Sequence, residues 1–357
     1  MGQGLGKRVM VVGAGIVGAS LAYQLADKGA TVTLVEAGDI ASGVTSTSFA
    51  WLNTSHRGPD AIAALRGAAL QAYRQLETQL PGLNIRWAGA LSYGTTPHEA
   101  PHAAADMAAG NRVSRSQILD LEPNLNHPPR QAVYVAEEGA LDAVAVTHAL
   151  VAGAVAKGAQ VLTQTRVLGF TTRDAQVIGI ETATGMIPAD VVVLAAGTGI
   201  TSLTALLGVS LPIEASPAIF IRYTATPDLV RTLISSPDME VRHGAPGTLL
   251  AAEDYVDDAP ENQPAAIALR TASAIRRELR GVATLEPDMA CVGLRPIPAD
   301  RLPIIGYLPR VTGVYVCAMH PGVTLAAIVG RLASAEILDD QACSALEPCR
   351  SARFFSG

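Results

Sequence analysis

Cysteine is scarce: four residues in 357, Cys291, Cys317, Cys343 and Cys349, with no Cys-x-x-Cys pair among them. A disulfide framework is therefore not expected, the thiols read as reduced, and no metal site is expected. Charge is sparse as well. Lys and Arg number 26 against 32 Asp and Glu, a net −6, and the basic residues are scattered rather than clustered. No basic field is offered to a polyanion, which excludes nucleic acid as the expected partner. The N-terminus lacks the basic, apolar and small-residue zones of a signal peptide. The strongest early apolar run, VMVVGAGIVGASLAYQLA, is broken by glycines, so neither a leader nor a transmembrane segment is expected and the cytoplasm is the expected location. Repeats, low-complexity tracts and a Pro/Gly/Ser-rich linker are also missing.

What is present is a core-forming composition, 49% hydrophobic, in a length that suggests two domains. The first motif is KRVMVVGAGIVGAS. Arg8 to Val12 is an apolar run suited to a buried parallel strand, and Gly13, Ala14, Gly15, Ile16, Val17 and Gly18 follow it directly. In such a turn the first glycine permits the bend and the second admits a pyrophosphate close to the backbone. The third lets the following helix pack on the strand. A second β-rich run, Thr31 to Val35, ends at Glu36 and Ala37, about 20 residues beyond the glycines. A carboxylate there accepts both hydroxyls of an adenosine ribose and repels a 2′-phosphate, which argues against NADP. The motif holds the ADP half of a dinucleotide without saying whether nicotinamide or flavin completes it.

Three later stretches favour flavin. Residues 40–53, IASGVTSTSFAWLN, follow the ribose-binding strand with small hydroxyl residues. Residues 177–200 form a hairpin about Thr184 and Gly185, then a buried strand ending in Ala195, Ala196 and Gly197. VGLRPIPADRLPIIGYLP precedes a strand, Val314 to Ala318, which runs into His320, Pro321 and Gly322. A helix starts near Val323 or Thr324, where its N-terminus can stabilise negative charge on a reduced flavin ring. In these stretches the chain resembles the glycine oxidase and D-amino-acid oxidase family of FAD-dependent amine oxidoreductases.

That resemblance implies an α/β fold, with a Rossmann-like FAD-binding domain of the glutathione reductase type and an inserted antiparallel-sheet substrate domain. It implies FAD as cofactor. Ser42, Ser46, Thr47 and Ser48 would line the cofactor path, with Phe49, Ala50 and Trp51 near the ring. The backbone of Val167 would pair with adenine, and the small turn at Ala196 and Gly197 would touch the cofactor. In GLRP, Arg295 would hold a substrate carboxylate. His320 would hydrogen-bond the ring or merely pack. Some related sarcosine oxidases link flavin to a cysteine near this segment. Here Gly293 stands at that place, with Cys291 two residues away, so the FAD is expected to be non-covalent.

The motif positions suggest cofactor segments 1–88, 142–212 and 285–357, with a substrate domain from 89–141 and 213–284. Ala218 to Thr224, Gly247 to Ala252 and Ala265 to Arg270 read as antiparallel strands, and Pro59 to Leu80 as a helix. Arg222 and Arg270, on the expected sheet, stand in reserve for Arg295, and Asp300 reads as a turn cap. His56, Trp51, Tyr223, His243 and Tyr255 could also reach a substrate cavity. The activity expected is oxidative deamination of a small amino acid or secondary amine by hydride transfer from the amine-bearing carbon to flavin. Oxygen or another acceptor would then take the electrons. Two alternatives stay open: oxidation of a 2-hydroxy acid, and a flavin-binding subunit of a multi-chain oxidoreductase. The sequence leaves the oligomeric state open.

Overall fold

The computed structural model describes residues 6–54, 61–94 and 111–355. The strand Arg8–Val12 is buried along all but its first residue, because it lies inside a six-stranded sheet covered on both faces. Its parallel neighbours are Thr31–Val35 on one side and Val191–Leu194 on the other. Gln160–Leu162 extends the sheet past Thr31–Val35, and Val314–Ala318 extends it past Val191–Leu194. Ile304–Tyr307 closes the far edge antiparallel to Val314–Ala318. The helices Ile16–Asp27, Ala143–Ala156 and Gly322–Asp339 pack together with Ala63–Gln79 on one face, around Leu21, Leu25, Val146, Leu150 and Leu325. Asp142 caps Ala143–Ala156, accepting from Val144 N at 3.0 Å and Ala145 N at 2.9 Å. The hairpin expected about Thr184 and Gly185 joins Gln176–Thr182 to Gly185–Pro188 in a three-stranded sheet on the opposite face.

The second large element is an eight-stranded sheet ordered Leu285–Pro298, Ile213–Ala225, Thr248–Asp254, Glu240–His243, Leu233–Ser235, Ala90–Ser92, Gln131–Val135 and Asn111–Ser114. All its pairings are antiparallel except Leu233–Ser235 with Ala90–Ser92. Seven of these strands come from 89–141 and 213–284. The eighth, Leu285–Pro298, begins the 285–357 segment yet pairs along its whole length with Ile213–Ala225. GLRP therefore sits on this sheet rather than on the parallel one.

Ala265 to Arg270 is not a strand. It lies in the helix Pro264–Glu278, which covers the sheet's outer face with Ile267, Ala268, Thr271, Ala272 and Ile275. These positions recur at helical spacing over the whole segment, and Pro264 at the first turn suits a helix start. An alternation over six residues is too short to separate the two periods. Pro59 to Leu80 forms a helix from Ala63 to Gln79, and residues 59–60, with His56, lie outside the described residues.

Candidate functional site

A cavity of about 1730 Å³ lies between the glycine turn of the parallel sheet and one face of the eight-stranded sheet. Pockets for single small ligands occupy roughly 300–1,000 Å³, so this one has room for a dinucleotide and a small substrate together. Gly13 has φ +105°, and a Cβ there would meet Ala195 O at 2.6 Å. At Gly18 a Cβ would fall 1.9 Å from Gly13 O, so the helix Ile16–Asp27 rests directly on the turn. Gly13, Gly15, Ile16 and Val17 line the cavity. Gly18 lies outside the lining, buried in that packing.

Glu36 lines the cavity at the end of Thr31–Val35. Its carboxylate accepts from Ala14 N and Gly38 N, each at 2.8 Å, which fixes it across the mouth of the turn. Ala37, Ser42, Thr47 and Ser48 continue the wall, as do Phe49, Ala50 and Trp51. Ser46 does not line it: its hydroxyl donates to Gly43 O at 2.9 Å in the short turn Val44–Thr47. Val167, Ala196 and Gly197 line the same cavity.

The loop is held in part by partners that no sequence motif marks, Glu138 and Arg242. Thr45 Oγ1 accepts from Ile16 N at 3.1 Å, and Trp51 Nε1 donates to the buried Glu138 at 2.8 Å. The buried Arg242 donates to Phe49 O, and to Leu141 O at 2.9 Å. These partners are far apart in sequence and meet only through the tertiary fold.

His320, Pro321, Gly322, Val323 and Thr324 form the cavity's end wall. The helix Gly322–Asp339 begins there, so its first N–H groups, which have no carbonyl one turn back, face this region. Thr324 Oγ1 donates to Trp51 O at 3.1 Å, and Tyr73 OH donates to Val323 O at 2.6 Å. His320 lines the cavity and is itself exposed to the solvent that fills it. Desolvation, with Arg295, Arg66 and Arg301 nearby, pushes its pKa down to about 4. It is therefore neutral at pH 7.

The sheet register aligns one face toward these residues. Arg295 pairs with Ser216, Gly293 with Ala218, Ala218 with Asp254, and Phe220 with Ala252. Val241 opposite Ala251 puts Glu240 beside Ala252, and cross-strand neighbours share a face. Arg295, Gly293, Asp254, Ala252 and Glu240 all line the cavity. Arg295 Nη2 donates to Ser216 Oγ at 3.1 Å and to Pro217 O at 3.0 Å. Desolvation lowers its pKa, while Asp254 and Glu240 raise it.

Asp300 is engaged by Arg353 Nε at 2.6 Å and accepts from Leu302 N at 3.1 Å, in keeping with a turn cap. Arg222 pairs with Asp288 at 3.0 Å, and Arg270 donates to Glu261 O from the outer helix, so neither lines the cavity. Tyr223 is buried and donates to Ala268 O at 2.8 Å, Tyr255 donates to Asp258, and His243 lies outside the cavity lining. Arg66 and Glu240 are cavity residues that no local motif marks, and Arg301 is one that the GLRPIPADRLP stretch contains without marking it.

A profile of the family described as FAD dependent oxidoreductase (DAO) matches residues 8–336. Glycine oxidase of Pseudomonas putida is 26% identical over 335 residues, 88% of this chain and 90% of that protein. A subunit of the opine oxidase of Rhizobium meliloti is 24% identical over 353 residues, 92% of this chain and 94% of that one. The crystal structure of glycine oxidase from Geobacillus kaustophilus superposes with a TM-score of 0.85 at 21% identity, covering 97% of this chain and 99% of that chain. Among the described residues no helix is long and apolar enough to cross a membrane.

Proposed function

The chain belongs to the family of FAD dependent oxidoreductases, and from that premise we propose that it oxidises the C–N bond of a small amino acid or secondary amine. The observation that carries this reading is Arg295 on the cavity face of the eight-stranded sheet, across from the glycine turn and the helix that starts at Gly322. A planar guanidinium suits a carboxylate, and Arg295 has donors beyond the bonds to Ser216 and Pro217.

The donor set fits FAD. Gly13 and Gly15 line the cavity at the turn that would hold a pyrophosphate, and Glu36 would accept from a ribose. Residues 47–51 and 320–324 bound the space for a ring. When bound, FAD supplies the acceptor for a hydride and its electron pair. Arg295 fixes the substrate by its carboxylate, and the neutral His320 adds no positive charge beside the ring. The N-terminus of Gly322–Asp339 directs partial positive charge at the same wall, and the loop tied by Arg242 and Trp51 is joined to that wall through Thr324 Oγ1 and Trp51 O. With Gly293 where related oxidases place a linking cysteine, the cofactor is held non-covalently.

Anaerobic mixing of the purified holoenzyme with glycine, D- and L-amino acids, N-methyl amino acids and 2-hydroxy acids tests the reading. Bleaching of the flavin by an amine supports it, and bleaching by hydroxy acids alone overturns it. The similarity to an opine oxidase subunit favours a second reading, a flavin-bearing chain of a larger oxidoreductase. The native mass of the purified complex separates the two.

A further inference from the structure

Amines of this class are cations at neutral pH, and an ammonium has no lone pair to assist hydride loss from the neighbouring carbon. A site for amine oxidation therefore gains from a group that takes one proton on binding. Among the carboxylates lining the cavity, most are committed elsewhere. Glu36 holds Ala14 N and Gly38 N, Glu253 accepts from Thr271 Oγ1 at 2.7 Å, Asp300 is paired with Arg353, and Asp238 with Arg277. Glu214 and Asp254 are exposed. Glu240 differs. It is half-buried on the cavity face, on the strand Glu240–His243, and its side chain is engaged by the Ser235 hydroxyl, which donates at a long 3.3 Å.

We propose that Glu240 is the proton acceptor for the substrate amine: an ammonium whose carboxylate is held by Arg295 passes one proton to a Glu240 oxygen, leaving a neutral amine and a protonated carboxyl. The inference rests on the amine-oxidation reading above. The electrons of the N–H bond stay on nitrogen as the lone pair, and the proton leaves Glu240 for solvent once product departs. The groups facing Glu240 suit this exchange. Desolvation, with Asp254 and Glu253 on the adjacent strand, pushes its carboxyl up to about 7, while Ser235 and Arg295 act in the opposite direction. A carboxylate so poised takes a proton near neutrality and gives it back. His320, on the end wall, is held from taking a proton first by desolvation and then by Arg295, Arg66 and Arg301.

The test is the pH dependence of anaerobic flavin reduction by the best amine substrate, in holoenzyme and in Glu240→Gln, Glu240→Asp and Asp254→Asn. In the unsubstituted protein kcat/KM should rise with pH through about 7, as Glu240 loses its proton. Glu240→Gln should lose that limb and fall on the order of 100-fold at pH 7. It should recover at high pH, where the amine arrives neutral. Glu240→Asp should keep the limb at reduced rate, and Asp254→Asn should move it to lower pH by removing a like charge. FAD content and melting temperature should match across the set, separating this role from a folding defect. If Glu240→Gln keeps the same limb and the same rate, the inference falls while amine oxidation stands. If no amine reduces the flavin, both fall.

Discussion

Gly293 lies against Thr47: a Cβ at position 293 would stand 2.4 Å from Thr47 Oγ1. Thr47 ends the turn Val44–Thr47, and its hydroxyl donates to Val44 O at 3.3 Å, so the edge of the eight-stranded sheet meets the cofactor loop with no space for a side chain. Gly293→Ala should displace the loop at a cost of about 1–3 kcal/mol. The ratio of flavin to protein absorbance and the melting temperature should both drop. A variant that loads FAD as fully as the parent shows that this contact does not shape the cofactor wall.

Arg295→Ala should lower kcat/KM for a carboxylate-bearing amine on the order of 100-fold while leaving FAD content nearly unchanged. Arg295→Lys restores charge without the planar fork and should recover only part of the loss. An amine lacking the carboxylate should be far less affected. Near-normal kinetics of the alanine variant would move the carboxylate clamp elsewhere on the wall, with Arg66 and Arg301 as the cavity cations to test next.

Glu36→Ala removes an acceptor that braces Ala14 N and Gly38 N as well as a ribose. FAD affinity should weaken by about 1–3 kcal/mol, the range for losing a charged hydrogen bond. Equilibrium dialysis of the apoprotein with FAD measures it, and an unchanged dissociation constant would take Glu36 out of the site.

His320 should make the apoprotein acid-sensitive in a defined window. Its folded pKa is about 4, below the ordinary 6.5, so the unfolded chain binds the proton more readily. The shift costs nothing above pH 6.5, and it destabilises the fold progressively as pH falls toward 4. Melting temperature should therefore decline more steeply between those values than in His320→Gln. Equal slopes would mean that the His320 ring titrates alike in the folded and unfolded chain.

Legibility in the sequence followed how local each signal is. The glycine turn, Glu36 and the strand before His320 are read from contiguous residues whose backbone needs are strict. Ala265 to Arg270 misled because six residues sample less than two helical turns, and Ile267, Ala268, Thr271 and Ala272 declare their common face only across the whole of Pro264–Glu278. Glu240 was invisible for a different reason. It joins Arg295 only through register across three strand pairings, Glu240–His243 to Thr248–Asp254 to Ile213–Ala225 to Leu285–Pro298, and no spacing along the chain encodes that meeting. Ser46 and Gly18 carry the right residue types in the right stretches, yet turn geometry and helix packing set them outside the lining.

The strand order of the parallel sheet also has a temporal side. Arg8–Val12, made before the other strands of its sheet, ends up in the interior of that sheet, and the neighbour of Val191–Leu194 on its other side is Val314–Ala318, made about three hundred residues later. The end wall at 320–324 emerges later still. Until those residues are made, the glycine turn faces a pocket that lacks its end wall. The cavity therefore has its complete lining only once the chain has been made past Thr324.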